Sequence, residues 1–261
     1  MPRSVGVVVP AYRPDADQLA SYLDALTERL DPEAVRVELD APTPELVDEL
    51  SSLPATVNVS PVRRGKGAAI TAGFEALSTD VFAFVDADGS TPADSFSDVL
   101  APVLADEADL GVGSRRHPDA TVTAHQTFAR RRLGDGFACL AKRLLDTELY
   151  DYQCGAKAMT ADAWVDVRDH LYEPGFAWDV ELVAVAAALD HALVEVPVEW
   201  EDRPGSTVSP VRTTLDLGRS LLSARHRAKL IREDRLHAMF DARRSTTPSL
   251  VERLGPDPIE D

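Results

Sequence analysis

The sequence predicts an α/β protein, a three-layer αβα sandwich in which a mostly parallel sheet lies between helices. Three observations carry that expectation. Short β-branched runs alternate with stretches of helical periodicity through the first hundred residues. Turns rich in Gly, Pro and Asp separate them. The run Val81-Phe82-Ala83-Phe84-Val85 is apolar throughout, as a strand covered on both faces must be.

The elements follow in order. Val5–Val9 is a β-branched strand closed by Pro10. Asp15–Leu30 places Leu19, Tyr22, Leu23, Leu26 and Leu30 on one helical stripe. Val35–Leu39 reads as a strand, Pro44–Leu53 as a helix and Thr56–Val59 as a strand. Gly65–Leu77 reads as a helix opened by glycines, and Val81–Val85 as the buried strand. Pro92–Leu104 has proline in its first turn, where a missing N–H costs nothing. Leu110–Val112 is the next strand. The pattern then changes. Thr127–Leu145 carries apolar residues at helical spacing, with Arg130, Arg131, Arg132, Lys142 and Arg143 on its other faces. Ala161–Leu171 and Asp179–Leu189 read as helices, and Ala192–Val198 as a late strand. Thr213–Arg235 is amphipathic, and the tail from Ser245 is polar and expected to be mobile.

Composition narrows the function. The chain has 261 residues, 44% of them hydrophobic, enough for one large core. A net charge of −17 argues against nonspecific nucleic-acid binding and suggests a high-salt cytoplasm, as in a halophilic host. Two cysteines, Cys139 and Cys154, make no disulfide framework. The longest apolar region, Val180–Val198, is interrupted by Glu181, Asp190, His191 and Glu195, so the chain is expected to be soluble or peripheral. The positive charge is gathered in two places. Gly113–Thr147 and Val211–Arg235 each hold seven Lys/Arg against three acids, which points to an anionic partner or surface.

The chemistry centres on Asp86-Ala87-Asp88, just past the end of the buried strand. Ligands of open α/β sheets bind outside the carboxyl ends of the strands, and two carboxylates there can hold a hard divalent cation. Upstream, Arg64-Gly65-Lys66-Gly67 opens a helix after a strand. Its glycines would let backbone N–H groups reach a phosphate, and Lys66 adds a point charge. The Walker A spacing is absent.

With these residues assembled, the chain resembles the family-2 glycosyltransferases of the GT-A (Rossmann-like) fold. The matching pieces are Val8-Val9-Pro10-Ala11-Tyr12, Gly65-Lys66-Gly67-Ala68 with Gly73, Asp86-Ala87-Asp88-Gly89 and Gly113-Ser114-Arg115. Three further segments resemble the dolichyl-phosphate glucosyltransferase branch: Asp151-Tyr152-Gln153-Cys154-Gly155-Ala156-Lys157, Phe176 to Leu182, and Val196-Pro197-Val198-Glu199-Trp200 through Gly205-Ser206. The resemblance implies an inverting enzyme that moves a hexose, UDP-glucose being the favoured donor, to dolichyl or polyprenyl phosphate for glycan assembly. It implies a nucleotide-sugar site at Pro10, Tyr12, Asp40, Lys66, Asp86 and Ala87, and Mg2+ or Mn2+ on Asp88 and Asp86. Asp86, Asp88 and Asp179 are the expected catalytic residues, and Arg115, Arg130 and Arg131 the expected ligands of the acceptor phosphate. The expected partner surface is the cytoplasmic face of the membrane. Residues 1–210 would form the GT-A domain, 211–244 an amphipathic helical appendage, and 245–261 a flexible acidic tail. The chain departs from the family at Arg13-Pro14-Asp15 and at Glu38-Leu39-Asp40-Ala41-Pro42, where the donor's base and ribose would lie, so the donor stays open.

Other readings stay open at this point. A hydroxyl acceptor would need a carboxylate base, with Asp179 the natural candidate. A non-catalytic nucleotide-sugar-binding protein would keep the fold without the reaction. Asp179 and Glu181 could instead complement a helix N-terminus, Trp178 and Trp200 could floor a sugar pocket or fill a core, and Cys154 suits packing better than nucleophilic attack.

Overall fold

The computed structural model describes residues 3–51, 53–123, 128–145, 147–201, 210–232 and 247–254, with side chains described outside 128–135 and 210–217. The strands are β1 (Val5–Ala11), β2 (Ala34–Asp40), β3 (Thr56–Ser60), β4 (Val81–Val85), β5 (Leu110–Ser114), β6 (Thr121–Val122), β7 (Ala156–Thr160), β8 (Leu193–Pro197) and β9 (Glu199–Trp200). The helices are α1 (Ala16–Leu30), α2 (Pro44–Leu50), α3 (Lys66–Glu75), α4 (Ala93–Leu104), α5 (Phe128–Leu144), α6 (Ala161–Val167), α7 (Trp178–Ala188), α8 (Pro210–Ile231) and α9 (Leu250–Leu254).

Seven strands form one sheet in the order β3-β2-β1-β4-β7-β5-β8, and β6 pairs with β9 in a small second sheet. The first four strands are parallel, as expected. Alternation along β1 builds both layers. Val7 and Val9 face a core with Leu19, Leu23 and Leu26 of α1 and Phe96 of α4, while Val8 faces Phe74 of α3 and the helices beyond it. Asp15 caps α1 by accepting the Gln18 N–H at 2.9 Å, and Thr43 caps α2 ahead of Pro44. Gly73 is a glycine because α3 lies against the sheet: a Cβ there would come 2.5 Å from Val8 Cγ1.

One expectation is corrected, and two later stretches are seen in part. The sequence reading has no strand between Leu145 and Ala161, yet β7 lies in the middle of the sheet, antiparallel to both β4 and β5. Its Ala-Lys-Ala-Met-Thr sequence is poor in β-branched residues, and the strand holds by being packed on both faces. Of the 211–244 stretch, residues up to 232 are described. Helix α8 packs on α7 and α5 and buries Leu221, Ala224 and Ala228 in the same core as the sheet. Of the tail, residues 247–254 are described. Ser249 and Glu252 cap α9 reciprocally, Leu250 is buried, and its N–H donates to the Leu171 carbonyl at 2.7 Å. Among the described residues no helix is long and apolar enough to cross a membrane.

Candidate active site

The carboxyl edge of the sheet gathers the residues singled out above. Pro10 and Tyr12 lie at the end of β1, Asp40 at the end of β2, Asp86-Ala87-Asp88 after β4, and Arg115 after β5. Because β7 runs the other way, its start brings Gly155 and Lys157 to the same edge. The first turns of α3 and α7 supply Lys66 and Asp179.

A chain of alternating charges crosses this edge. Lys66 Nζ contacts Asp86 Oδ1 at 2.8 Å and Asp179 Oδ2 at 3.0 Å. Lys157 Nζ contacts Asp179 Oδ1 at 2.8 Å and donates to the Cys154 carbonyl at 2.7 Å. Side-chain exposure falls along it, from 39% at Asp86 to 9% at Lys66, 2% at Asp179 and 1% at Lys157. Burial would push Lys66 down, but Asp179 and Asp86 outweigh it and hold the ammonium above the usual lysine range. Burial would push Asp179 up, but Lys157 and Lys66 outweigh it and hold the carboxyl low. Asp86 moves the other way. Its recessed setting raises it first, Lys66 opposes, and the charges of Asp88 and Asp179 add to the rise.

Asp88 sits in a built turn. Its Oδ1 accepts from the Ser90 N–H at 3.0 Å and the Ser90 hydroxyl at 2.7 Å, and Gly89 takes a φ of 63°. Its backbone carbonyl accepts from Gln18 Nε2 at 2.5 Å. Asp88 Oδ2 and Asp86 Oδ2 take no hydrogen bond among the described residues, and no cluster of three or more metal-ligating side chains occurs there. Two hard oxygen donors without a third protein ligand suit a divalent cation that completes its shell with diphosphate oxygens and water.

Several expected residues are engaged elsewhere. Asp40 accepts from Arg64 Nε at 2.8 Å and from the Gly65 N–H at 2.9 Å, so both its oxygens hold the turn that leads to Lys66. Two backbone N–H groups of that turn are already engaged, Gly65 with Asp40 and Ala68 with the Pro174 carbonyl. A Cβ on Gly67 would come 2.5 Å from the Glu173 carbonyl and from Trp178. These glycines let α3 start hard against the 173–178 segment. Arg115 is locked to Asp151 by a bidentate pair, Nε–Oδ2 at 2.7 Å and Nη2–Oδ1 at 3.0 Å. Tyr12 faces Arg63, whose guanidinium carbon stands 4.1 Å from the ring centroid. Arg130 and Arg131 belong to α5, but their side chains lie outside the described residues. Trp178 is a core residue, packed edge-on to Phe84 and Phe74. Burial pushes the Cys154 thiol up to about 12, which fits packing and not nucleophilic attack.

Sequence reasoning missed the roles of Gly155, Lys157, Asp151 and Glu181. A lone lysine in Ala156-Lys157-Ala158-Met159 was a usable signal, since a charge inside an apolar run needs a buried partner. Glu181 accepts from the Tyr172 and Glu173 N–H groups at 2.8 Å and 2.7 Å and pairs with Arg227 of α8. It therefore fixes the segment against which α3 begins.

The chain was compared with known proteins. Residues 6–163 match the family described as Glycosyl transferase family 2. The chain is 29% identical over 228 residues to Glycosyltransferase AglD of Haloferax volcanii, covering 84% of this chain and 36% of that protein. It is 30% identical over 245 residues to the Dolichyl-phosphate beta-glucosyltransferase of Drosophila melanogaster, covering 83% and 73%. To the mouse protein of that name it is 33% identical over 172 residues, covering 63% and 52%. The chain thus spans about a third of AglD and about half of the mouse protein. A crystal structure of glucosyl-3-phosphoglycerate synthase from Mycobacterium tuberculosis, with Mn2+, UDP and glucosyl-3-phosphoglycerate, shares the fold. Its TM-score is 0.62 at 18% identity, covering 85% of this chain and 80% of that one. With the motifs in place on a GT-A sheet and more than half its length matched, the chain belongs to glycosyl transferase family 2.

Proposed function

We propose that this enzyme moves a hexose, glucose from UDP-glucose in the first instance, to dolichyl or another polyprenyl phosphate, with inversion at the anomeric carbon. The observation that carries the reading is the state of the acids at the sheet edge. A hydroxyl acceptor needs a carboxylate free to take its proton. Asp179 is buried, paired at both oxygens with lysines and held low, so it is a poor base. Asp151 is spent on Arg115. A lipid phosphate arrives ionised and needs no base, and the relatives named Dolichyl-phosphate beta-glucosyltransferase support that acceptor.

In this reading Asp88 and Asp86 would hold Mg2+ or Mn2+, which would supply positive charge to the leaving diphosphate. Lys66 donates to the same diphosphate from the α3 side. The acceptor's phosphate oxygen forms the new bond to the anomeric carbon as the bond to the β-phosphate oxygen breaks. Asp179 is a positioning residue for Lys66, and Asp40 positions the Gly65 turn. Arg130 and Arg131 would meet the acceptor phosphate. Arg115, tied to Asp151, shapes that end of the edge and adds its field. The lipid reaches the site from the cytoplasmic membrane surface, met by the basic helices α5 and α8, where exposed Leu140 and Leu222 stand among basic residues. The acidic remainder fits a halophilic host.

The test is a transfer screen. Radiolabelled UDP- and GDP-sugars are incubated with vesicles containing dolichyl phosphate, with Mg2+, Mn2+ or EDTA, and the lipid fraction is counted. Metal-dependent label from UDP-glucose in the lipid fraction is the expected result. Label found only in water-soluble products contradicts the acceptor.

A further inference from the structure

Lys157 is one of the most completely buried charges among the described residues. It lies on β7, in the middle of the sheet, on the same strand face as Met159 and on the side of α7. An ammonium 1% exposed is costly to bury unless it is paired and hydrogen-bonded. Its partners are the Cys154 carbonyl and one oxygen of Asp179. The other oxygen of Asp179 faces Lys66, and Lys66 also reaches Asp86. Both ammonium groups also lie near the Phe84 ring, Lys66 Nζ 5.4 Å and Lys157 Nζ 5.7 Å from its centroid.

The charge arithmetic of this row gives Lys157 a task. Asp179 is inside the protein, where an uncompensated carboxylate draws any available cation. Lys157 balances it from the buried side. Lys66 then needs to give Asp179 only orientation, and its charge stays at the cleft beside Asp86. Without Lys157, Lys66 is the sole cation for Asp179 and is pulled inward, away from the exposed end of the row.

We infer that Lys157 is a positioning residue for the donor diphosphate: by neutralising Asp179 it keeps the Lys66 ammonium at Asp86, where the diphosphate binds. The inference rests on the proposed donor reading. It gives the Gly155-Ala156-Lys157 segment a task in substrate binding, exercised through two intermediate side chains.

The test is binding, read by titration calorimetry with UDP and with uridine, alongside the KM for the sugar donor. Lys157→Met is expected to weaken UDP by about tenfold, the scale of one charge-assisted contact, and to leave uridine unchanged. Its donor KM should rise while the dolichyl phosphate KM stays put. The double variant Lys157→Met/Asp179→Asn removes the buried carboxylate with its lysine and strands no charge. It should bind UDP more tightly than Lys157→Met does, because the amide oxygen left at residue 179 can still accept from Lys66 while no buried carboxylate draws the ammonium inward. If Lys157→Met fails to fold, Lys157→Gln, neutral but still able to donate toward the Cys154 carbonyl, is read in its place against the double variant. UDP binding unchanged in Lys157→Met, or a loss in the double variant as large as that of the single one, overturns the inference and leaves the donor reading standing. Absence of UDP binding by the wild type overturns both.

Discussion

The Asp86 carboxylate rests on the Cα of Gly155, and the Asp86 N–H donates to the Gly155 carbonyl at 2.9 Å. A strand and the antiparallel strand beside it thus meet through an acid and a glycine, at the spot where a metal and a diphosphate would bind.

Gly155→Ala is expected to hurt activity more than stability. A methyl group at residue 155 would overlap the Asp86 carboxylate, and the carboxylate must swing away. Overpacking of this kind costs about 1–3 kcal/mol of stability, which a fold of this size tolerates. Metal-dependent turnover should fall by about tenfold or more, since a misplaced ligand weakens both metal and donor. Initial rates across a Mn2+ series, beside a thermal melt, check it. A full-rate enzyme with the wild-type metal dependence counts against the site.

Asp88→Ala should lose transfer by about 100-fold or more while the fold survives, because among the described residues its Oδ2 takes no hydrogen bond and its Oδ1 holds a local turn. The check is the rate at saturating donor together with the far-UV spectrum. Full activity in this variant would remove Asp88 from the mechanism.

The Arg115–Asp151 pair makes a pH prediction. Burial alone would raise Asp151, but Arg115 outweighs it and brings the carboxyl to about 2 from an ordinary 3.8. A carboxyl lowered in the folded state stabilises the fold at pH values above the unfolded pKa. That contribution, about 2 kcal/mol, is lost as pH falls from about 4 toward 2. Asp151→Asn leaves Arg115 without its partner and should destabilise the neutral protein by about 3 kcal/mol. Urea midpoints measured over that window should show a flatter pH dependence in the variant. Parallel curves for the two proteins contradict the pairing.

The two cysteines should differ in reactivity. Cys154 is buried with its thiol pushed up to about 12, and Cys139 is exposed on α5. Iodoacetamide on the folded protein, followed by peptide mass analysis, should label Cys139 and spare Cys154 until denaturant is added. Equal labelling in the native state contradicts the burial of the Gly155 segment.

These residues also show why part of the molecule could be read from its sequence. The parallel half was open to inspection because Val5–Val9 and Val81–Val85 are apolar runs and α1 has a regular stripe; these are local patterns. Asp86 and Asp88 were visible for the same reason, standing directly after a strand. The β7 strand was hidden because Ala156 and Ala158 have little intrinsic preference for strands, and only the packing of β4 and β5 around them selects one. The ion row was hidden because Lys66, Asp86, Lys157 and Asp179 meet only through the sheet's topology. Arg115 and Asp40 were read as open to ligand because their partners, Asp151 and the Gly65 turn, are distant in sequence.

The central claim is that the acceptor brings its own negative charge to a site without a free base. Dolichol and dolichyl phosphate, offered separately in identical vesicles with labelled UDP-glucose and Mn2+, test it most directly. Label in the lipid fraction with dolichyl phosphate and none with dolichol is the result the account expects. Comparable transfer to dolichol would show that a protein carboxylate activates a hydroxyl here, and would contradict the account.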